Sequence, residues 1–192
     1  RRPFVPKDRR MGFDYWAVNN CTHKYMDHFY CTDTPKKIQF KGYDAIVQTD
    51  LAIDYINKNT SATSGEEGSA QAAPFCLFMS WGPPHNPYNT APAGYHERVP
   101  MERIKLRENV HEREIVDWLI ERDEKAGGAT VKARTKRREV LDDDDKLKAE
   151  QIQGYYAHTA ALDDCIGKLR AALRDKGLEE DTILVFSSDH GD

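Results

Sequence analysis

Two short apolar runs, each followed by a polar cluster, constrain the fold of this chain more than any other feature. The first covers residues 75–80 and the second covers residues 182–187. Both are nearly continuous in apolar residues, which is the pattern of strands buried on both faces of a sheet. The polar residues that follow the second run include Asp189 and His190. We therefore expect the chemistry of this chain to lie where these two strands end.

Helical patterns precede both runs. Residues 43–58 carry apolar side chains at helical spacing after Gly42, and residues 147–176 do so over a longer stretch before a capping Gly177. Helices that alternate with doubly buried strands predict an α/β fold, with a mainly parallel sheet flanked by helices. Ligands bind at the carboxyl ends of the strands in such sheets, so both polar clusters are candidate site segments.

The first polar cluster is a loop rich in proline. Pro83, Pro84 and Pro87 exclude regular helix or strand there, so His85 is predicted to lie in a stiff loop that leaves the first strand. An imidazole at that place can donate to an anionic substrate or protonate a leaving oxygen. The residues alone leave a second interpretation open, in which His85 only bonds the local backbone.

The second polar cluster pairs a carboxylate with an imidazole. Asp189 and His190 can both bind one divalent ion, and Gly191 allows the backbone to turn tightly after them. A purely structural turn is the alternative, but the position after an apolar strand favours a metal site. The other carboxylate pair, Asp163 and Asp164, lies inside the predicted long helix. We interpret it as a surface or helix-tethering pair.

Composition and cysteine spacing exclude several classes of protein. The net charge is −4, with 28 basic and 32 acidic residues, which gives no basis for nucleic-acid binding. No apolar run approaches the roughly 18 residues of a membrane span. The four cysteines form no C-x-x-C pair, so a zinc ribbon is not supported. Spacing leaves a Cys21–Cys31 disulfide open, whereas Cys76 and Cys165 lie in apolar patterns that predict core thiols.

Five groups of stretches form an ordered set: 12–16 with 20–23, 75–80 with 83–87, 104–110, 155–169, and Ser-Asp-His-Gly-Asp at 188–192. Together they resemble the type I sulfatases, the formylglycine-dependent members of the alkaline-phosphatase-like superfamily. The resemblance covers most of the chain and leaves out only residues 59–73 and 115–147. It implies that residues 1–192 are a partial sulfatase catalytic domain.

The resemblance implies roles for four residues. Asp189 and His190 match the late ligands of the divalent cation of the family, expected to be Ca2+. His85 matches the histidine that protonates or stabilises the leaving alcohol oxygen, and His23 is a candidate for substrate binding. The implied substrate is a sulfated small molecule or sulfated polysaccharide. The implied location is extracytoplasmic, that is periplasmic, secreted or lysosomal.

The resemblance also implies a nucleophile that these residues do not supply. In this family a formylglycine is made from the first residue of Cys/Ser-x-Pro-x-Arg, and no cysteine or serine here begins that motif. We therefore expect the nucleophile and the early metal ligands in an upstream segment, and we expect the 192-residue chain alone to be inactive. The alternatives are a phosphonate or phosphodiester hydrolase or a phosphoglycerol transferase of the same superfamily, or a non-catalytic binding protein of this fold.

Overall fold

The computed structural model describes residues 4–19, 22–61, 74–106 and 145–190, and the side chains of residues 60–61 and 145–148 are outside this description. In these ranges the chain forms three α-helices and two short strands. The two stretches that the family resemblance leaves out, residues 59–73 and 115–147, lie mostly outside the described residues. The elements are β1 (Phe29–Tyr30), β2 (Ile38–Gln39), α1 (Asp44–Ser61), α2 (Ala93–Glu97), α3 (Asp145–Asp175) and 3₁₀ turns at Lys7–Arg9, Tyr88–Thr90 and Met101–Arg103.

Both long helices predicted from periodicity are confirmed. Helices α1 and α3 pack along each other and bury their apolar faces in two neighbouring clusters. Alanines at positions 45 and 161 are fully buried between them, so the two backbones approach closely. The first cluster contains Tyr25, Tyr43, Ala45, Ala161, Leu162 and Cys165, and the second contains Ala52, Ile56, Leu169 and Leu173.

The end of α3 has the cap that its sequence predicts. Gly177 has φ +66°, a left-handed conformation that glycine adopts without steric cost. The amide of Gly177 donates to the Arg174 carbonyl at 2.9 Å, and the amide of Leu178 donates to the Leu173 carbonyl at 2.8 Å. This pair of hydrogen bonds is a Schellman motif, which satisfies the last carbonyls of the helix and turns the chain toward residue 182.

The first apolar run does not follow its prediction in full. Phe75, Leu77 and Met79 pack against the second core cluster, whereas Cys76 and Phe78 face away and Phe78 is 80% exposed. In an extended backbone successive side chains point to opposite faces, so one face meets the helices and the other does not. The expectation of burial on both faces is therefore wrong in this structure, as is a core position for the Cys76 thiol. Cys165 is buried as predicted.

The second apolar run is more exposed than the first. Ile183 is 92% exposed and Val185 is 83% exposed, while the Thr182 hydroxyl at the start of the run donates to the Leu178 carbonyl at 2.7 Å. Among the described residues the single sheet is the antiparallel pair β1–β2, with Phe29 opposite Gln39. A parallel sheet is therefore not seen in the described part of the chain.

The segment that precedes β1 is fixed by a buried arginine. The guanidinium of Arg10, 2% exposed, donates to the carbonyls of Val5 and Thr32 and forms an ion pair with Asp33 at 2.6 Å. Cys31 exchanges two backbone hydrogen bonds with Val18 nearby. The possible disulfide partner Cys21 lies outside the described residues, so that pairing stays a prediction.

Asp164 has the tethering role that the sequence predicts. Its carboxylate accepts two hydrogen bonds from Arg98, at 2.6 Å and 3.2 Å, and thereby links the end of α2 to α3. Its neighbour Asp163 is exposed. None of the helices in the described ranges is long and apolar enough to cross a membrane.

Candidate active site

One cavity brings together residues from four separate parts of the sequence. Its volume is about 300 Å³, and all four side chains singled out from the sequence line it: His23, His85, Asp189 and His190. The proline loop forms one wall, and the end of the second apolar run forms another. The remaining lining residues are Thr22, Tyr25, Trp81, Gly82, Pro83, Pro84, Tyr155 and Ser188.

The imidazole of His85 is oriented by its own loop. Its Nδ1 lies 2.8 Å from the Asn86 carbonyl oxygen, which can only accept, so Nδ1 carries a proton and donates. In the neutral ring Nε2 is then the acceptor, and in the charged ring both nitrogens donate. The His85 amide also donates to the Gly82 carbonyl at 3.3 Å, which closes the turn. The alternative of a locally bonded loop histidine and the role of a proton donor are thus compatible.

The buried side chain of Tyr25 contacts the proline loop. Its hydroxyl lies 3.3 Å from the Gly82 carbonyl and 3.4 Å from the Asn86 carbonyl, and the side chain is 1% exposed. The ring passes so close to Gly82 that a Cβ there would lie 2.7 Å from a ring carbon. Position 82 therefore requires glycine, and Tyr25 is in contact with both ends of the turn that carries His85.

His23 lies against His85. The two ring centroids are 4.3 Å apart with planes tilted by 44°. His23 precedes the buried Tyr25 by two residues, so the tie between Tyr25 and the loop also brings His23 to the cavity. Two imidazoles in contact can donate to different oxygens of one anionic group.

Asp189 and His190 offer two donor groups for a cation. Asp189 Oδ2 and His190 Nε2 are 3.7 Å apart, close enough to contact one ion, and both side chains are largely exposed. The other carboxylate oxygen of Asp189 accepts from the His190 amide at 2.9 Å. Across the described residues, no group of three or more histidine, cysteine or acidic side chains is placed so that it could hold a metal ion by itself. The pair therefore fits two positions of a larger ligand set, since divalent cations take four to eight ligands.

Sequence reasoning missed several cavity residues and the support behind them. Tyr155, on α3, lies in the cavity wall beside Tyr88, with ring centroids 6.2 Å apart. His158, one turn further on, is fully buried and hydrogen-bonded to Tyr43. A histidine among apolar positions of a helix was the one available signal, since a buried imidazole needs partners.

The comparison with known families identifies the chain. The family model named Sulfatase matches residues 4–192. The chain belongs to the sulfatase family. The resemblance noted in the sequence is thereby confirmed, and this family is associated with a divalent cation.

Individual relatives agree with the family. The chain is 31% identical over 193 aligned positions to an ulvan-active sulfatase of Formosa agariphila, covering 100% of this chain and 30% of that protein. It is 21% identical to an endo-4-O-sulfatase of Bacteroides thetaiotaomicron, covering 98% of this chain and 31% of that protein. The chain thus spans about a third of the length of these curated relatives.

A solved structure shows the same fold. A Bacteroides fragilis protein assigned as a sulfatase superposes with a TM-score of 0.66 at 22% identity, over 98% of this chain and 34% of that one. At this identity the likeness concerns the fold alone. The chain is therefore part of an alkaline-phosphatase-like fold.

Proposed function

We propose that this chain is the part of a metal-dependent sulfatase that carries the leaving-group histidine and the late cation ligands. The observation that carries the proposal is the shared cavity. His23, His85, Asp189 and His190 come from three distant stretches of a chain that matches the sulfatase family over residues 4–192, and all four line it. Residues 1–192 are then a partial catalytic domain.

The geometry supports a role for His85 in proton transfer. With Nδ1 held by the Asn86 carbonyl, Nε2 is the nitrogen left to hold a proton for the alcohol oxygen that leaves when a sulfate ester is cleaved. His23, in ring contact with His85, is proposed to bind an oxygen of the substrate. A divalent cation bound by Asp189 and His190, proposed to be Ca2+, would stabilise negative charge on the sulfuryl oxygens.

We place the nucleophile outside these 192 residues. No position here begins the Cys/Ser-x-Pro-x-Arg motif of formylglycine formation, and the chain spans about a third of its relatives. The isolated chain should therefore show no turnover.

The finer fold assignment is also a proposal. We propose that residues 75–80 and 182–187 are strands of a mainly parallel sheet in the complete protein, because each has an apolar face that the described residues leave uncovered. Protection of the Ile183 and Val185 amides from hydrogen exchange in the full-length protein is the expected result. Rapid exchange at both would contradict this assignment.

The proposed substrate is a sulfated polysaccharide, with smaller sulfate esters as weaker substrates. The two relatives described above are named for activity on ulvan and for removal of 4-O-sulfate. The proposed location is extracytoplasmic, by analogy with the family.

The test is turnover by the full-length gene product. Release of sulfate from a sulfated polysaccharide and from 4-nitrophenyl sulfate is expected, with loss on chelation and recovery on adding Ca2+. Phosphonate monoesters and phosphodiesters, assayed in parallel, address the alternative hydrolases. Faster cleavage of those esters than of every sulfate ester would overturn the sulfatase assignment.

A further inference from the structure

His158 is a buried, fully engaged polar side chain that neither core packing nor the proposed chemistry explains. It lies in the middle of α3 with 0% exposure, and it does not line the cavity. On one side its Nδ1 is hydrogen-bonded to the Tyr43 hydroxyl. On the other its Nε2 lies 3.3 Å from the Pro87 carbonyl and 3.4 Å from the Thr90 hydroxyl.

The proton positions follow from the partners. The Pro87 carbonyl only accepts, so Nε2 of His158 carries the proton, and Nδ1 of the neutral ring accepts from Tyr43. Burial raises the pKa of Tyr43 and lowers the pKa of His158, which keeps this arrangement neutral. Each ring nitrogen is thereby satisfied, as a fully buried imidazole requires.

The Pro87 carbonyl is a point where the loop is fastened to the helix. It accepts from His158 and also from the Thr90 hydroxyl at 2.7 Å. The peptide just before it presents the Asn86 carbonyl, which accepts from Nδ1 of His85. Two adjacent carbonyls therefore connect the buried ring of His158 to the ring of His85 in the cavity.

A second contact on α3 fixes the same loop. Gly154 and His158 are four residues apart and thus lie on one face of the helix. A Cβ at Gly154 would overlap the Tyr88 carbonyl oxygen, so the loop backbone rests directly on the helix there. Between them, Gly154 sets how closely the loop approaches, and His158 sets its register by a directional hydrogen bond.

We propose that His158, held by Tyr43, is a positioning residue that fixes the Pro83–Thr90 loop so that His85 meets the leaving oxygen. This inference rests on the proposed function, because it assigns His158 a role in the same reaction. Displacement of a proton donor by about 1 Å can cost about 100-fold in rate, so an anchor two carbonyls away has a kinetic consequence.

The test uses three variants of the full-length enzyme. His158→Leu keeps apolar volume but removes both hydrogen bonds, while His158→Gln retains a donor and an acceptor. Leu173→Ala is the control, since it opens a cavity in the second core cluster, whose buried members include no residue of the loop. Each is assayed on aryl sulfates whose phenols span a range of acidity.

The expected signature of His158→Leu is a loss of kcat that depends on the leaving group. For the least acidic phenol we expect a loss of about 100-fold, and for nitrophenol only about 3-fold, because a good leaving group needs little protonation. The Gln variant should recover most of the loss. Adding His158→Leu to His85→Ala should produce no further dependence on the phenol, because both changes act through one group.

A purely structural role predicts a different result. If His158→Leu lowers activity on every phenol by the same factor, as Leu173→Ala should, then it only reduces the amount of folded enzyme and the proposal is overturned. Amide exchange gives a readout without turnover. Faster exchange confined to residues 85–90, with α3 still protected, supports the anchor even if the enzyme prefers another ester, and unchanged exchange there overturns it.

Discussion

The two walls of the cavity are held in different ways. The His85 wall is fastened to buried parts of the chain through Tyr25 and His158, which are 1% and 0% exposed. The wall with Asp189 and His190 lies on a run whose side chains are mostly exposed, and hydrogen bonds there join neighbouring residues, Ser187 to Ser188 and His190 to Asp189.

The two walls therefore differ in what determines the positions of their side chains. The orientation of His85 is determined by contacts within the described residues, so it is set once α1 and α3 pack. The donors Asp189 and His190 are adjacent in sequence, and the hydrogen bond between them joins the His190 amide to the Asp189 carboxylate. A bound cation with further ligands would fix that wall by mass action, whereas the His85 wall is fixed by folding.

The largest expected effect is on the His85 wall itself. His85→Ala in the full-length enzyme should lower kcat by about 10²- to 10⁴-fold on sulfate esters of weakly acidic alcohols, because the positioned proton donor is lost. Steady-state assays across aryl sulfates measure it. His96→Ala is a matched control, since His96 is a partly exposed histidine on α2 that does not line the cavity. A loss of equal size in both variants would contradict a special role for His85.

The second largest effect is expected on cation affinity, at the wall that carries Asp189 and His190. Asp189→Ala should weaken cation affinity by more than the roughly 10- to 100-fold that loss of an outer partner costs, because a direct ligand is removed. Calorimetric titration of Ca2+ into the metal-free full-length protein measures it. High Ca2+ should restore turnover to this variant but not to His85→Ala, and equal rescue of both would remove the distinction between the walls.

The third effect tests the contact between loop and helix with two glycines of α3. Gly154→Ala should lower the free energy of unfolding by about 1–3 kcal/mol, because the new methyl group overlaps the Tyr88 carbonyl. Gly167→Ala is the matched control: nothing lies within 4 Å of its Cβ, and alanine favours the helix by up to about 1 kcal/mol. Chemical denaturation of both full-length variants measures it, and opposite signs are expected.

The sequence predicted the helices and the meeting of the polar clusters more successfully than the environment of the apolar runs. Periodicity reports which face of a helix is covered, and the faces of α1 and α3 cover each other within this chain. The burial of a strand depends on its neighbours. The apolar sequence at Cys76 and Phe78 indicates that these side chains face an apolar environment, but it cannot show which residues provide that environment.

The anchor at His158 lay beyond sequence reasoning for a related reason. Its partner Tyr43 is 115 positions away, and neither residue belongs to a motif with a known spacing. Only the packing of α1 against α3 brings the hydroxyl to the imidazole. By contrast, the adjacency of Asp189 and His190 can be read directly from the chain.

The smallest effect concerns the acid response of this buried pair. Burial lowers the pKa of His158 below its usual 6.5, with nearby His96 acting in the same direction and the bond to Pro87 opposing it, while Tyr43 stays neutral. Below about pH 6.5 the unfolded chain therefore binds a proton that the folded chain does not. The contribution of neutral His158 to the free energy of unfolding should therefore be complete above that pH. It should fall toward lower pH, by at most about 1.4 kcal/mol per pH unit.

His158→Gln removes this titration and leaves every other group in place. The free energy of unfolding of the wild-type and variant proteins, compared from about pH 7.5 to about pH 5.5, should therefore converge as the pH falls. A difference that stays constant would mean that His158 takes up a proton in the folded state as readily as in the unfolded state. Its Nδ1 could then no longer accept from Tyr43, and the loop would be held by Tyr25, Thr90 and Gly154 with a weaker contribution from the helix.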